Sequence, residues 1–110
     1  MNQQQTIEIE MKEAKEAVAM AESLERLYKN RDFKKVVTEC FMRDNVVMNV
    51  HALGNPAYKN DENTVKSIHD RIQAVAELVE FFRMVQQHGE NARYALKDAE
   101  AELTTMVEEF

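Results

Sequence analysis

Residues that interrupt secondary structure are almost absent from this sequence, which has two glycines and one proline among 110 residues. Sheet proteins need turn residues at every hairpin, and this chain does not have them. Apolar residues make up 45% of the chain and recur at regular spacing, which argues against disorder. The composition therefore predicts a folded, all-α protein.

Apolar residues spaced three and four apart predict two helices in the first half of the chain. The first covers residues 7–29 with Thr6 as its N-cap, and the second covers 33–53 with Asp32 as its N-cap. A kink is predicted in the second helix near residues 43–45. The predicted inner stripes are Ile7, Met11, Ala14, Val18, Ala21, Leu24 and Tyr28 in the first helix, and Phe33, Val36, Val37, Cys40 and Phe41 in the second.

The loop 54–63, which reads GNPAYKNDEN, precedes a C-terminal helical segment over 64–108. Gly89 lies inside that segment and leaves two alternatives. A break at Gly89 gives a compact four-helix bundle, whereas a continuous helix gives an elongated hairpin. The predicted inner stripe is Val65, Ile68, Ile72, Val75, Val79 and Phe82, followed by Ala92, Leu96, Ala99, Leu103, Met106 and Phe110. The expected fold is a single helical domain over 1–110, a hairpin or small bundle of three to four helices with a long C-terminal helix.

A second apolar face is predicted on the C-terminal segment between residues 75 and 85. A helix that is apolar around much of its circumference must be covered on two sides. We therefore expect a homo-oligomer, because large exposed apolar patches mark interaction sites and symmetric dimers are the commonest assembly. The expected interface residues are Leu78, Phe81, Phe82 and Val85.

The sequence contains no pattern typical of an enzyme or a metal site. Two glycines are too few for a phosphate-cradling loop or a nucleophile elbow. No two of His51, His69 and His88 have the spacing of a zinc pair on one helix. Cys40 is expected to be an inert core residue. We therefore expect a non-enzymatic protein without a metal or a cofactor.

The charge and the termini predict where the protein works. A formal net charge of −6 argues against general nucleic-acid binding, which depends on neutralising phosphates. No apolar run is long enough to span a membrane. A single cysteine, together with an N-terminus that lacks a basic start and an apolar core, predicts a cytoplasmic protein.

Cations concentrate in the turn between the first two helices, at four positions within residues 29–35. Cations beside free backbone N–H groups form a reasonable anion site, although a solvated basic turn is the simpler interpretation. Loops often carry binding residues, and the loop 54–63 presents a tyrosine beside a lysine. The candidate ligand- or partner-binding residues are therefore Lys29, Arg31, Lys34, Lys35, Tyr58 and Lys59.

Three stretches carry a distinctive order of helices and turns: LERLYKNRDFKKVV (24–37), VVMNVHALGNP (46–56) and AVAELVEFFRMVQQHGENARYAL (74–96). This order resembles that of small uncharacterised helical proteins of tailed bacteriophages. The resemblance implies a phage-associated source, with the protein in the host cytoplasm or in the virion. It transfers no site residue, because it contains no chemical motif.

Two functions are consistent with these expectations. The first is a non-enzymatic protein that acts by self-association and by contacts with a phage structural protein or a host protein, in an assembly or accessory role. The second is a binding module that sequesters or inhibits a host protein, or holds a small anionic ligand, through the basic turn 29–35.

Overall fold

The computed structural model describes residues 2–109, and these residues form no strand. The all-α class and the long C-terminal helix are therefore confirmed. The elements are α1 (Gln3–Lys29), α2 (Arg31–Phe33), a π-helix (Lys34–Asp44), α3 (Asn45–Leu53) and α4 (Glu62–Glu108).

The chain divides into two compact units. The terminal unit consists of the chain up to Glu25 together with the chain from Arg83. The central unit consists of residues 26–82 and contains α2, the π-helix, α3 and the loop that precedes α4.

The start of α1 is set by a reciprocal pair of side-chain hydrogen bonds. The backbone N–H of Gln5 donates to Oδ1 of Asn2 at 2.8 Å, and the N–H of Asn2 donates to Oε1 of Gln5 at 3.0 Å. This capping box satisfies two amide groups that a helix end leaves without partners. The predicted cap at Thr6 is wrong, because Thr6 lies inside the helix and its hydroxyl donates to the carbonyl of Asn2.

The predicted inner stripe of α1 is confirmed, since all seven of its residues are buried or half-buried. In the terminal unit α1 runs antiparallel to α4. Nε2 of Gln3 donates to Glu102 at 3.2 Å, and Arg93 pairs with Glu25 at 3.5 Å at the other end of the same unit. The stripe residues of α4 that are buried or half-buried here are Val85, Gly89, Ala92, Leu96, Ala99, Leu103 and Met106, whereas Phe110 lies outside the described residues.

Gly89 lies inside α4, and the helix continues through it. The continuous-helix alternative is therefore correct and the break at Gly89 does not occur. Gly89 is buried, and a Cβ atom built on it would overlap the Cβ of Ala21. Glycine is needed here because α1 approaches α4 too closely for any side chain.

The second helical stretch begins at Arg31 because Asn30 caps it. The N–H of Phe33 donates to Oδ1 of Asn30 at 2.9 Å, and Asn30 itself is in an extended conformation. Asp32 was the predicted cap, but it lies in the first turn of the helix instead. Asparagine and aspartate are equally good N-caps, and Asn30, two residues before Asp32, takes the role here.

Residues 34–44 wind more widely than an α-helix. The N–H of Asn45 donates to the carbonyl of Cys40, which is the bond to the fifth preceding residue that defines π winding. α winding returns at Asn45, within the span where the sequence predicts a kink. Long π-helices are rare, and their hydrogen bonding alters the angular spacing of side chains.

The wider winding moves the inner face of this segment. α winding would align Phe33 with residues three, four, seven and eight positions later, whereas π winding aligns it with those four, five and nine positions later. Three residues predicted to lie in the core are therefore exposed, namely Val36 at 61%, Phe41 at 38%, and Cys40. The half-buried residues of the π-helix are Val37, Thr38 and Met42.

Two polar residues consequently lie inside the central unit. Asn49 in α3 is buried and satisfied, since its Nδ2 donates to the carbonyl of Asn45 at 2.7 Å. Oγ1 of Thr38 is buried without a hydrogen-bond partner in the described chain. An unsatisfied buried hydroxyl costs about 1–3 kcal/mol of stability.

The start of α4 is capped by Asp61, which accepts from the N–H of Thr64 at 3.2 Å and from its hydroxyl at 2.9 Å. From the sequence, Asp61 and Asn63 are both suitable caps, and the structure assigns the role to Asp61. The hydrogen bonds from the backbone and then the side chain of Thr64 lower the pKa of Asp61 below its ordinary value of 3.8.

The rings of Tyr28, Phe33 and Phe82 form an aromatic cluster in the central unit. The ring of Tyr28 lies edge-on to Phe33 and Phe82, with centroids 6.0 and 5.8 Å away, and burial raises the pKa of Tyr28 above its ordinary value of 10.0. The inner face of α4 reaches this cluster through Leu78, which is half-buried, and not through the predicted Val79, which is exposed. Both positions are apolar, so packing and not composition selects between them.

Candidate functional site

Four cations of the basic turn surround one concavity of the central unit. Its volume is about 510 Å³, which is within the range of small-molecule sites. The lining residues are Lys29, Arg31, Lys34, Lys35 and Glu39. We call this site the basic concavity. Its four cations were expected from the sequence, and Glu39 was not.

A turn of one residue brings these cations together. α1 ends at Lys29, and the next helix begins at Arg31, with Asn30 alone between them. The N–H of Asn30 donates to the carbonyl of Leu27 at 3.0 Å, and the N–H of Lys34 donates to the carbonyl of Asn30 at 2.9 Å. Two backbone bonds and the Asn30 cap thus fix the backbone that carries the four cations.

Glu39 lies one helical turn beyond the lysines of the site. In π winding residues five apart are neighbours along the helix, so Glu39 lies one turn beyond Lys34. The α-helical spacing used for prediction pairs Glu39 with Lys35 instead. The i,i+4 spacing of Glu39 from Lys35 was a local sequence signal that could have identified it.

The electrostatic balance of the basic concavity is strongly positive. Its lining contributes four cations and one carboxylate, in a chain whose formal net charge is −6. Within residues 2–109 the four cations form no ion pair or side-chain hydrogen bond, and all four are exposed. Of the backbone N–H groups expected to be free at this turn, that of Phe33 is not available to a ligand, because Asn30 already accepts from it. The four cationic side chains are the main source of attraction for an anion here.

The structure does not bring the loop candidates into this site. Tyr58 lines a separate concavity of about 530 Å³ in the central unit, together with Asp61, Ser67 and Arg71. Lys59 is exposed and is not among the lining residues of either concavity. Tyr58 and Lys59 thus remain candidates without a shared site.

The predicted interface residues divide by exposure. Leu78, Phe82 and Val85 lie on the half-buried stripe of α4, and Phe82 contacts Tyr28 and Phe33. Phe81 alone projects outward, at 53% exposure. Self-association is not shown by this single chain and stays a prediction, with Phe81 as the residue that is most available to a second copy.

In residues 2–109 no three histidine, cysteine, aspartate or glutamate side chains are grouped so that they could hold a metal ion. No helix in that range is long and apolar enough to cross a bilayer.

Comparison with known proteins adds no relative, since no family model, curated protein or solved structure matches this chain.

Proposed function

We propose that this protein is a non-enzymatic binding module that holds a small polyphosphorylated molecule in the basic concavity. The observation that carries this proposal is the convergence of four exposed cations, without ion pairs in the described chain, on one concavity of about 510 Å³. In a chain with an excess of acidic residues, this concentration of cations forms a locally positive patch that attracts anions.

The lining indicates the charge of the ligand. Arg31 offers the planar donor fork that matches phosphate oxygens, and the three lysines supply point charges around it. No aromatic or purely apolar residue lines the site, so charge is the main source of binding energy. Several phosphates on one small molecule meet this requirement better than a single carboxylate.

The proposal is tested by calorimetric titration with tripolyphosphate at low ionic strength. Reversing two charges in the site, Lys34→Glu with Lys35→Glu, should weaken binding about tenfold or more. Binding to the unaltered protein should also weaken as salt is added, because exposed charges are screened.

The matched control reverses two exposed lysines away from the site, Lys12→Glu with Lys97→Glu. This variant has the same net charge as the first and should bind tripolyphosphate almost as the unaltered protein does. Equal losses in both variants would show a general charge effect and overturn the assigned site. Absence of binding to the unaltered protein would overturn the proposed function.

Self-association is a second candidate, and the exposure of Phe81 favours it. A large aromatic side chain that is half-exposed on an otherwise paired helix is a suitable anchor for another copy. Sedimentation velocity should then show a smaller species for Phe81→Ser than for the unaltered chain. Tyr94→Ser, which replaces another exposed aromatic residue, should leave the species unchanged; an identical species in all three proteins would exclude Phe81.

The phage resemblance suggests a setting for each candidate. Self-association suits a structural or assembly role, in which copies contact one another or a phage structural protein. A ligand held in the basic concavity suits an accessory role in the host cytoplasm. The presence or absence of the protein in purified particles would distinguish these roles.

A further inference from the structure

We propose that residues 34–41 have two helical registers, the π winding described above and an α winding that turns different side chains inward. The register would act as a conformational device: π winding displays an apolar row made of Val36, Cys40 and Phe41, and α winding withdraws it. This proposal does not rest on the function assigned to the basic concavity, and Lys34, Lys35 and Glu39 of that site lie in the same segment.

π winding turns a polar residue, Thr38, towards the inside of the central unit. Thr38 faces inward, and its hydroxyl has no hydrogen-bond partner in the described chain. Buried hydroxyl groups are normally satisfied, so a lone exception in a segment of unusual winding needs an explanation. α winding would remove Thr38 from the face that contains Phe33.

π winding also exposes three apolar side chains that α winding would bury. Val36 is 61% exposed, and Cys40 and Phe41 are exposed beside it. In α winding these three residues share the face of Phe33, at the spacing typical of a buried helical stripe. A change from π to α winding would therefore release the Thr38 hydroxyl and bury three apolar side chains. The local sequence pattern favours α winding and so conflicts with the observed π winding.

The change from π to α winding can occur without moving the neighbouring helices. Phe33 is held at one end by the rings of Tyr28 and Phe82, and α winding resumes at Asn45 at the other end. π winding accommodates more residues per turn than α winding. When residues 34–41 adopt α winding, the extra residues can form a bulge near 43–45, which preserves the total rotation between the two ends.

Alkylation of Cys40 by a maleimide reports the register, because the thiol is exposed in one register and covered in the other. Thr38→Glu cannot keep its charge buried and should drive the α register, which slows alkylation about tenfold while helical content is retained. The matched variant Val36→Glu carries the same charge at a site that α winding would bury. It should leave the alkylation rate almost unchanged.

The result that would overturn the proposal is a folded Thr38→Glu protein whose Cys40 reacts at the original rate. Protection of Cys40 that grows with protein concentration would also overturn it, because a second copy would then cover the apolar row. If Thr38→Glu does not fold, methyl relaxation dispersion on the unaltered protein decides. Exchange of the Val36 and Thr38 methyl groups at one common rate supports two registers, and flat profiles for both refute them.

Discussion

Gly89 in α4 lies so close to Ala21 in α1 that a Cβ atom on Gly89 would overlap the Cβ of Ala21. The carbonyl of Ala17 would lie 3.5 Å from the same position. The terminal unit therefore depends on the absence of a side chain at one position of its long helix. This relationship reverses the usual preference for alanine over glycine in a helix.

We expect Gly89→Ala to lower the free energy of unfolding by about 1–3 kcal/mol, the usual cost of overpacking. Alanine is the better helix former by about 1 kcal/mol, so any loss of stability must come from the overlap. Urea unfolding measures the change. Adding Ala21→Gly to the variant should restore part of the loss, because it removes the methyl group on the opposite helix.

The matched control for this prediction is Gly54→Ala. A Cβ atom at Gly54 would lie 3.4 Å from the carbonyl of His51, and the backbone there is right-handed helical. Its stability should stay within about 1 kcal/mol of the unaltered protein. Equal effects of the two alanine substitutions would contradict the close approach of α1 and α4.

Adjacent phenylalanines in α4 should respond very differently to truncation. Phe82→Ala should lower the free energy of unfolding by about 2–4 kcal/mol, because this ring is half-buried between Tyr28 and Phe33. Phe81→Ala should cost less than about 1 kcal/mol in the monomer, because Phe81 is 53% exposed. Chemical denaturation at low protein concentration tests both, and a larger effect at Phe81 would mean that the stripe is misassigned.

Removing the buried hydroxyl of Thr38 should stabilise the protein. Thr38→Val has nearly the same shape and eliminates an unsatisfied polar atom, so we expect a gain of about 1 kcal/mol. The control is Thr104→Val, whose hydroxyl donates to the carbonyl of Glu100 at 2.9 Å and is exposed. A destabilised Thr38→Val protein would show that the hydroxyl has a partner in solution.

The Asp61 cap should make stability depend on acid. The pKa of Asp61 is lowered in the folded protein, so its stabilising effect is complete above its unfolded value of 3.8. The effect is lost as pH falls through the lower folded value. Asp61→Asn should therefore flatten the melting temperature against pH below about pH 4. Asp98→Asn, which removes a carboxylate inside α4, should keep the acid dependence; identical profiles would exclude the cap as its source.

Local patterns in the sequence predicted much of this structure correctly. The stripe of α1 is a property of consecutive residues, and every member from Ile7 to Tyr28 is at least half-buried. The scarcity of glycine and proline correctly predicted helices without strands in residues 2–109. The N-cap residues were harder to predict, because asparagine, threonine and aspartate are all suitable caps. Asn2 and Asn30 take the role that was expected of Thr6 and Asp32.

The candidate site was predictable where it depends on adjacent residues. Lys29, Arg31, Lys34 and Lys35 meet because they flank a single-residue turn. Tyr58 lies in a different concavity, because the position of a loop depends on packing that sequence spacing does not record.

Sequence alone determined the helical class, the stripes of α1 and the cation cluster, because each depends on residues within a few turns of one another. Tertiary structure decided the continuity of α4 through Gly89 and the π winding of residues 34–44. Gly89 can stay helical because Ala21, distant in sequence, is small enough to occupy the space beside it. The winding of residues 34–44 cannot be read from the local pattern, because that pattern favours an α register which would bury Val36 and Phe41 and release Thr38.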